Sequence, residues 1–378
     1  MTEAKICFGE YFMIFVRDVE NNSVSVRVRK AYTEANLSSH SILTDDVFSY
    51  VDFFFKTHPR RRRKSDNRDY AFYWKQAQDF YKATKALPIE SSPLPMYYCM
   101  LNAIKAYIVY ASSDTEAICK KITNHGLREG STDECGAMTL SSIRIQRLNY
   151  GVFHEFCRLL NCETIKNWPI KNEGGSVSAK ELMYQLPFVH SAYASTYKIP
   201  RKKEKFIPLQ AGKAPTFRYE KNRKIRLVVD LDPHYFKGDT IALPKEVVQS
   251  LPKGLIVNPE NCFQVVSERQ FKKTEINPAY NEYRKYFSYI AADKRLWYLN
   301  REIGDEGIPE TVNTMIPSVA LAHRFSEIVR YKPEQMVRLL RGRENWLIHE
   351  FLSNVLDQFM DEISCEITKE EIMPTKQK

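Results

Sequence analysis

The strongest pattern in the chain is an apolar stripe at helical spacing. Tyr97, Leu101, Ile104 and Ile108 recur at i, i+4, i+7 and i+11, which predicts a helix over 91–112 with one apolar face. Ser91 or Ser92 can cap it, and Pro93 fits its first turn. A second stripe, Ile348, Phe351, Leu352, Val355, Phe359 and Ile363, marks a helix over 344–364. Similar spacing predicts helices from Thr44 through Phe48, Val51 and Phe55, and over 68–87, 153–161, 178–186, 317–330 and 333–341. Asp114 opens another helix. Gly126 reads as its C′ residue, and Lys120, Lys121 and His125 suit the negative end of its dipole.

Elsewhere the period falls to two. Ile14–Arg17 and Val24–Arg29 flank Asn21–Asn22, which predicts a β-hairpin. Residues 36–46 are polar and read as a linker, and 127–142 as irregular. β-like runs at Ile225–Val229, Thr240–Leu243 and Cys262–Val266 are punctuated by prolines. The expected fold is therefore α+β and mostly α. A β-hairpin extension spans 1–40, a helical region 45–190 and a β-rich basic module 196–275. C-terminal helices over 276–365 complete the bundle, and a polar tail follows at 366–378. The two long stripes are too apolar to face water and should share one core.

With 378 residues, 43% hydrophobic and 12% aromatic, the chain can fill two or three domains and is not disordered. No apolar run reaches the ~18 residues of a membrane span, and the N-terminus lacks a secretory h-region. Eight cysteines form no C-x-x-C pair and read as reduced small hydrophobes of a cytoplasmic protein. The net charge of +10 favours a polyanionic partner, RNA or DNA before a membrane. From 196 to 230, eleven Lys and Arg face three Asp and Glu, a net of +8.

Three basic clusters are candidates for nucleic-acid contact: Arg60, Arg61, Arg62, Arg63 and Lys64; Arg201, Lys202 and Lys203; and Lys221, Arg223 and Lys224, flanked by Phe217 and Tyr219. Cations with nearby stacking rings are a common nucleic-acid surface. Asn102 and Lys105 are i, i+3 neighbours on the first helix, and with His125 they could form an anion site. Asp230, Asp232 and His234 alternate along a strand and are the one metal candidate, although Pro233 breaks the run. No P-loop, dinucleotide fingerprint or nucleophile elbow is present, and no cofactor is expected.

Several segments follow one another in a set order. They are Phe48-Ser49-Tyr50-Val51-Asp52-Phe53-Phe54, then Phe80-Tyr81, then Leu94 to Ala106, His125-Gly126-Leu127, Arg144-Ile145-Gln146, Gly151-Val152-Phe153 and Arg330 to Glu334. In this order the chain resembles the bacterial YaaC-like family over roughly residues 46–365, which implies an architecture more than a chemistry. More loosely, Tyr97-Tyr98, Asn102-Ala103, Lys105-Ala106 and His125-Gly126 resemble the central helices of HEPN-type domains. That resemblance implies a helical bundle, often a homodimer, acting in prokaryotic conflict systems as a ribonuclease or a nucleic-acid-binding accessory. The catalytic kind has four to six residues between an Arg and the His that follows it. Arg343 and His349 have five residues between them, and Arg147 and His154 have six. There His would exchange a proton with a ribose 2′-OH while Arg neutralises the phosphorane. The expected function is a nucleic-acid-binding accessory protein of a defence or nucleic-acid-processing system. A metal-independent ribonuclease is the alternative, and an interaction scaffold the third possibility.

Overall fold

Apolar side chains gather into two separate cores, and a charged seam joins them. The computed structural model describes residues 13–60, 69–113, 115–130, 138–162, 168, 175–236, 242–291, 296–303 and 313–375. The chain is α+β, with 47% helix against 19% strand among the described residues. Among the described residues, the α-helices are α1 (Val47–Thr57), α2 (Tyr70–Ala86), α3 (Pro93–Ala111), α4 (Thr115–Lys121), α5 (Val152–Leu159), α6 (Ala179–Met183), α7 (His190–Tyr197), α8 (Lys245–Val248), α9 (Ile276–Tyr283), α10 (Met315–Tyr331), α11 (Pro333–Arg341) and α12 (Asn345–Thr368).

The first core is helical. Tyr97, Leu101, Ile104 and Ile108 of α3 and Ile348, Phe351, Val355, Phe359 and Ile363 of α12 are all buried in it. Cys99 Sγ lies 3.8 Å from Met360 Sδ, so the two stripes meet directly. Asp46 caps α1 and Asp69 caps α2, each accepting from a backbone N–H of the first turn. Trp74 Nε1 reaches across to Phe48 O at 3.1 Å and locks these two helices together.

The second core is built on strands. β1 (Phe15–Asp18), β9 (Thr216–Glu220), β10 (Ile225–Asp230), β11 (Leu255–Asn258) and β12 (Asn261–Ser267) form an antiparallel sheet in the order β1-β9-β10-β12-β11. β2 (Glu20–Asn21) and β3 (Val24–Ser25) make a hairpin that turns through positive φ at Asn22 and Ser23, but its first arm is not the expected Ile14–Arg17, most of which falls in β1 and pairs with β9. β4 (Ile42–Leu43) pairs in parallel with β15 (Ile372–Met373). β5 (Leu127–Glu129), β6 (Arg144–Arg147) and β7 (Val177–Ser178) form a small sheet beside the helices. The last sheet is β13 (Phe287–Ile290), β14 (Leu296–Asn300) and β8 (Phe206–Pro208).

Four more expectations need correction. Residues 276–300 are not part of a C-terminal helical run: Tyr280, Tyr283, Phe287, Tyr289, Trp297 and Leu299 pack in the strand core. Their aromatic density hides a switch from helix to strand. Residues 366–375 are not a free polar tail. Glu366 and Glu371 are 0% and 1% exposed, and β15 pairs with β4. The helix after residue 114 ends at Lys121 rather than at Gly126, and 127–129 form a strand. The expected strand over 240–243 lies partly outside the described residues; Ala242 and Leu243 are not strand.

Arg29 to Thr33 form the seam. From the strand side, Arg284 donates to Arg29 O at 2.8 Å and to Lys30 O at 2.7 Å. From the helical side, Glu366 accepts Tyr32 N–H at 2.6 Å and Glu371 accepts Lys30 N–H at 2.9 Å. Lys30 Nζ reaches Asp361 at 2.6 Å. Lys30 is ion-paired and Arg284 is satisfied by backbone carbonyls, as burial favours, whereas the Arg29 guanidinium bonds only Ser39 O and keeps Nε and Nη1 buried without a partner.

Candidate functional site

His125 lies at the surface in the turn between α4 and β5. The turn depends on Gly126, whose φ is +83° and where a Cβ would stand 2.8 Å from Tyr150 O. Because α4 ends four residues earlier, no negative helix end opposes an anion here. Tyr97, from the buried side of α3, brings its hydroxyl to 2.6 Å from His125 Nδ1. Burial pushes the Tyr97 phenol well up, so it stays protonated. Which of the two groups donates depends on the imidazole tautomer; where the phenol donates to Nδ1, the imidazole proton sits on Nε2.

His323 of α10 completes the cluster, its ring 4.9 Å from that of Tyr97 and 5.6 Å from that of His125. Burial, with help from His125 and Arg324, pushes its pKa down to about 3, so it is neutral. Its Nδ1 is buried without a hydrogen-bond partner, 3.7 Å from Glu327. Burial and the fields of Lys105 and Arg330 also hold His125 below the usual histidine range. Arg330 donates to Tyr98 Oη at 3.3 Å, and Phe80 stacks on Tyr98. Lys105 Nζ stands 5.6 Å from the Tyr73 ring centroid. A neutral imidazole at the surface, under two positive fields, can bind an anion and exchange a proton with it.

Asn102 does not join this group. It is 5% exposed, and its amide donates to Tyr98 O one turn back along its own helix. His323 and Arg330 were not legible as members because they lie more than 190 residues downstream of His125 and only the tertiary fold brings them there.

No hydrogen bond joins Arg343 to His349 among the described residues. Arg343 donates to Thr196 O at 3.0 Å from the turn before α12, while His349 lies within that helix, half-buried. Among the described residues the two share no hydrogen-bond partner. Arg147 is buried on β6 while His154 is half-buried on α5.

The metal candidate dissolves. Asp230 accepts Arg218 at 3.3 Å, Lys213 at 3.2 Å and Gln264 at 2.7 Å. Asp232 accepts His234 N–H in a short turn, and His234 is exposed. A cation would have to displace those donors. No cluster of three or more metal-ligating side chains occurs among the described residues.

The basic clusters separate in space. Lys221, Arg223 and Lys224 are exposed on the β9–β10 turn, where Arg223 has φ +63°. The Ile225–Phe271 bridge brings Arg269, Lys272 and Lys273 to the same end of the sheet. Arg17, opposite Tyr219 in register, lies 5.3 Å from its ring. Arg201, Lys202 and Lys203 lie at the other end of β10, where Arg201 donates to Tyr235 O at 2.7 Å. β10 has six residues, about 20 Å of strand. Arg60 is exposed beside the Tyr110 ring on the helical core; Arg61 to Lys64 lie outside the described residues.

No curated protein and no solved structure matches the chain. A family model does, over residues 40–367, and its description is YaaC-like protein. By that match, across most of its length, the chain belongs to the YaaC-like family.

Proposed function

We propose that the protein binds nucleic acid, as an accessory factor of a bacterial defence or nucleic-acid-processing system, through the open end of its five-stranded sheet. The placement of Lys221, Arg223, Lys224, Lys272 and Lys273 at one end of the sheet, with Arg17 against Tyr219, carries this reading. Cations on a rigid turn release counterions from a phosphate backbone, and the Tyr219 ring offers a face for a base. Fluorescence anisotropy against single-stranded RNA and duplex DNA across a salt series tests it. The variant Lys221→Ala/Arg223→Asn/Lys224→Ala, with Asn chosen because it tolerates the left-handed backbone, should lower the salt slope by about 3. Salt-independent behaviour, or no binding to either polymer, ends the proposal.

A metal-independent ribonuclease is the second reading. The observation favouring it is the Tyr97–His125–His323 cluster under Lys105 and Arg330, rather than Arg343 and His349. RNA cleavage in the presence of EDTA, lost in His125→Ala, is its test.

A further inference from the structure

A cleft of about 380 Å³ opens where α1, α2 and α12 meet the end of β13 and β15. Val47, Phe48, Ile290, Met360, Ile372 and Pro374 give it apolar walls. Its charged lining is Asp45, Asp46, Asp357 and Asp361 against Lys30 and Lys82. A chain of net charge +10 thus keeps one cavity whose lining is net negative. Largely apolar walls with a few convergent polar groups, at the junction of two cores, are the usual make-up of a small-molecule site.

The carboxylates are held in place. Asp357 and Asp361 are i, i+4 on α12 and so face the same way. Asp361 accepts Lys30 Nζ at 2.6 Å and Tyr289 Oη–H at 2.7 Å. Asp357 accepts Tyr81 Oη–H at 2.7 Å and Lys85 Nζ at 2.9 Å. Their partners differ. Lys30 is 3% exposed and fixed, whereas the Lys85 side chain is 43% exposed. A solvated lysine binds its carboxylate weakly, so an incoming cation can share or displace it at little cost. Asp357 is therefore the acceptor best placed for a ligand.

We propose that this cleft binds a small organic cation, an amine carrying an aromatic or branched apolar body. The ammonium would meet Asp357, with Asp45 and Asp46 adding field, and the body would lie against Phe48 and Met360. Phosphate esters and nucleic acid would face carboxylates here, so this site is separate from the proposed nucleic-acid surface.

Calorimetric titration of the full chain with 2-phenylethylamine, 2-phenylethanol and 3-phenylpropionate tests the inference. The three probes share a phenyl body on a short chain and differ in charge. The amine should bind saturably, with the alcohol and the acid at least tenfold weaker. Asp357→Asn keeps the Tyr81 hydrogen bond and should weaken the amine about tenfold without unfolding. Lys82→Glu adds negative charge at the rim and should tighten it. Asp361→Asn is the less useful variant, since it would leave Lys30 buried with a neutral partner. No amine binding, equal affinity for all three probes, or an unchanged affinity in Asp357→Asn would each overturn the assignment. Failure here leaves the salt-dependent polymer binding untouched.

Discussion

At the seam, Arg29, Lys30 and Arg284 are each no more than 5% exposed, and Asp361, Glu366 and Glu371 meet them or the backbone between them. At the open end of the sheet, Lys221, Arg223 and Lys224 face solvent. The residue types are the same and the physics is opposite. Buried charges are costly to desolvate, so they persist only where partners are fixed, and they set how the two cores meet. Exposed charges cost little, add little stability and remain available to a partner. The segment 196–230 contains both kinds. Of its eleven cations, Lys205 is buried on Gln185, Arg226 on Glu220, and Arg218 and Lys213 share Asp230. The surplus of +8 in sequence therefore overstates what the surface offers.

The comparison breaks most decisively by unpairing one seam charge. Glu366→Ala removes the acceptor of Tyr32 N–H, Thr33 Oγ1 and Lys369 Nζ at a fully buried position. Urea unfolding should show a loss of about 3–5 kcal/mol. Each substitution of the triple variant at the sheet end should stay within about 0.5 kcal/mol. Equal losses in the two regions would mean that burial is not what separates them.

A smaller effect, readable only through pH, comes from Glu362. Burial raises its pKa from 4.5 to about 7, against the hydrogen bonds from Gln358 and Thr314 that favour its charge. A folded pKa above the unfolded one gives stability that is complete below pH 4.5 and lost as pH rises through 7. The loss is on the order of 3 kcal/mol. His323 works the other way: its stabilisation is present above pH 6.5 and lost as pH falls toward 3. Comparing wild type with Glu362→Gln at pH 5 and pH 8 isolates the first effect. The variant should gain on wild type as pH rises; parallel curves would refute the shift.

Legibility followed locality. The stripes of α3 and α12 show in sequence because every residue of a stripe lies within a few turns, and a helix turns at a fixed 3.6 residues. The hairpin at Asn22 is likewise local. β13 and β14 escape notice because Phe287-Ser288-Tyr289 is buried throughout and follows a tyrosine-rich helix, so no alternation marks the change. The candidate site divides the same way. Lys105 and His125 belong to quoted motifs, whereas His323, Lys272 and Lys273 become neighbours only through α10 packing on α3 and through the Ile225–Phe271 bridge. Glu366 and Glu371 look like a solvated tail until their partners 330 or more residues away are placed beside them.

The smallest expected effect concerns a charge of intermediate standing. Lys105 is half-buried against Tyr73 and acts on His125 through its field rather than by a direct bond. Removing it should therefore move a titration more than a melting point. In Lys105→Met, the apolar stem still covers the Tyr73 ring while the positive charge is gone. The His125 pKa, followed by its ring-proton NMR signal, should rise toward the ordinary histidine value; because burial is the larger cause of its depression, the return should be partial. The melting temperature should stay within about 2 °C, as for other partly exposed charges. Arg330→Met should produce a second, smaller rise, since its field is the weaker of the two. If neither substitution moves the titration, the two cations do not act on His125 and an anion placed there would feel no pull from them. If the melting temperature falls steeply instead, Lys105 belongs with the seam charges, and its part in binding should be abandoned.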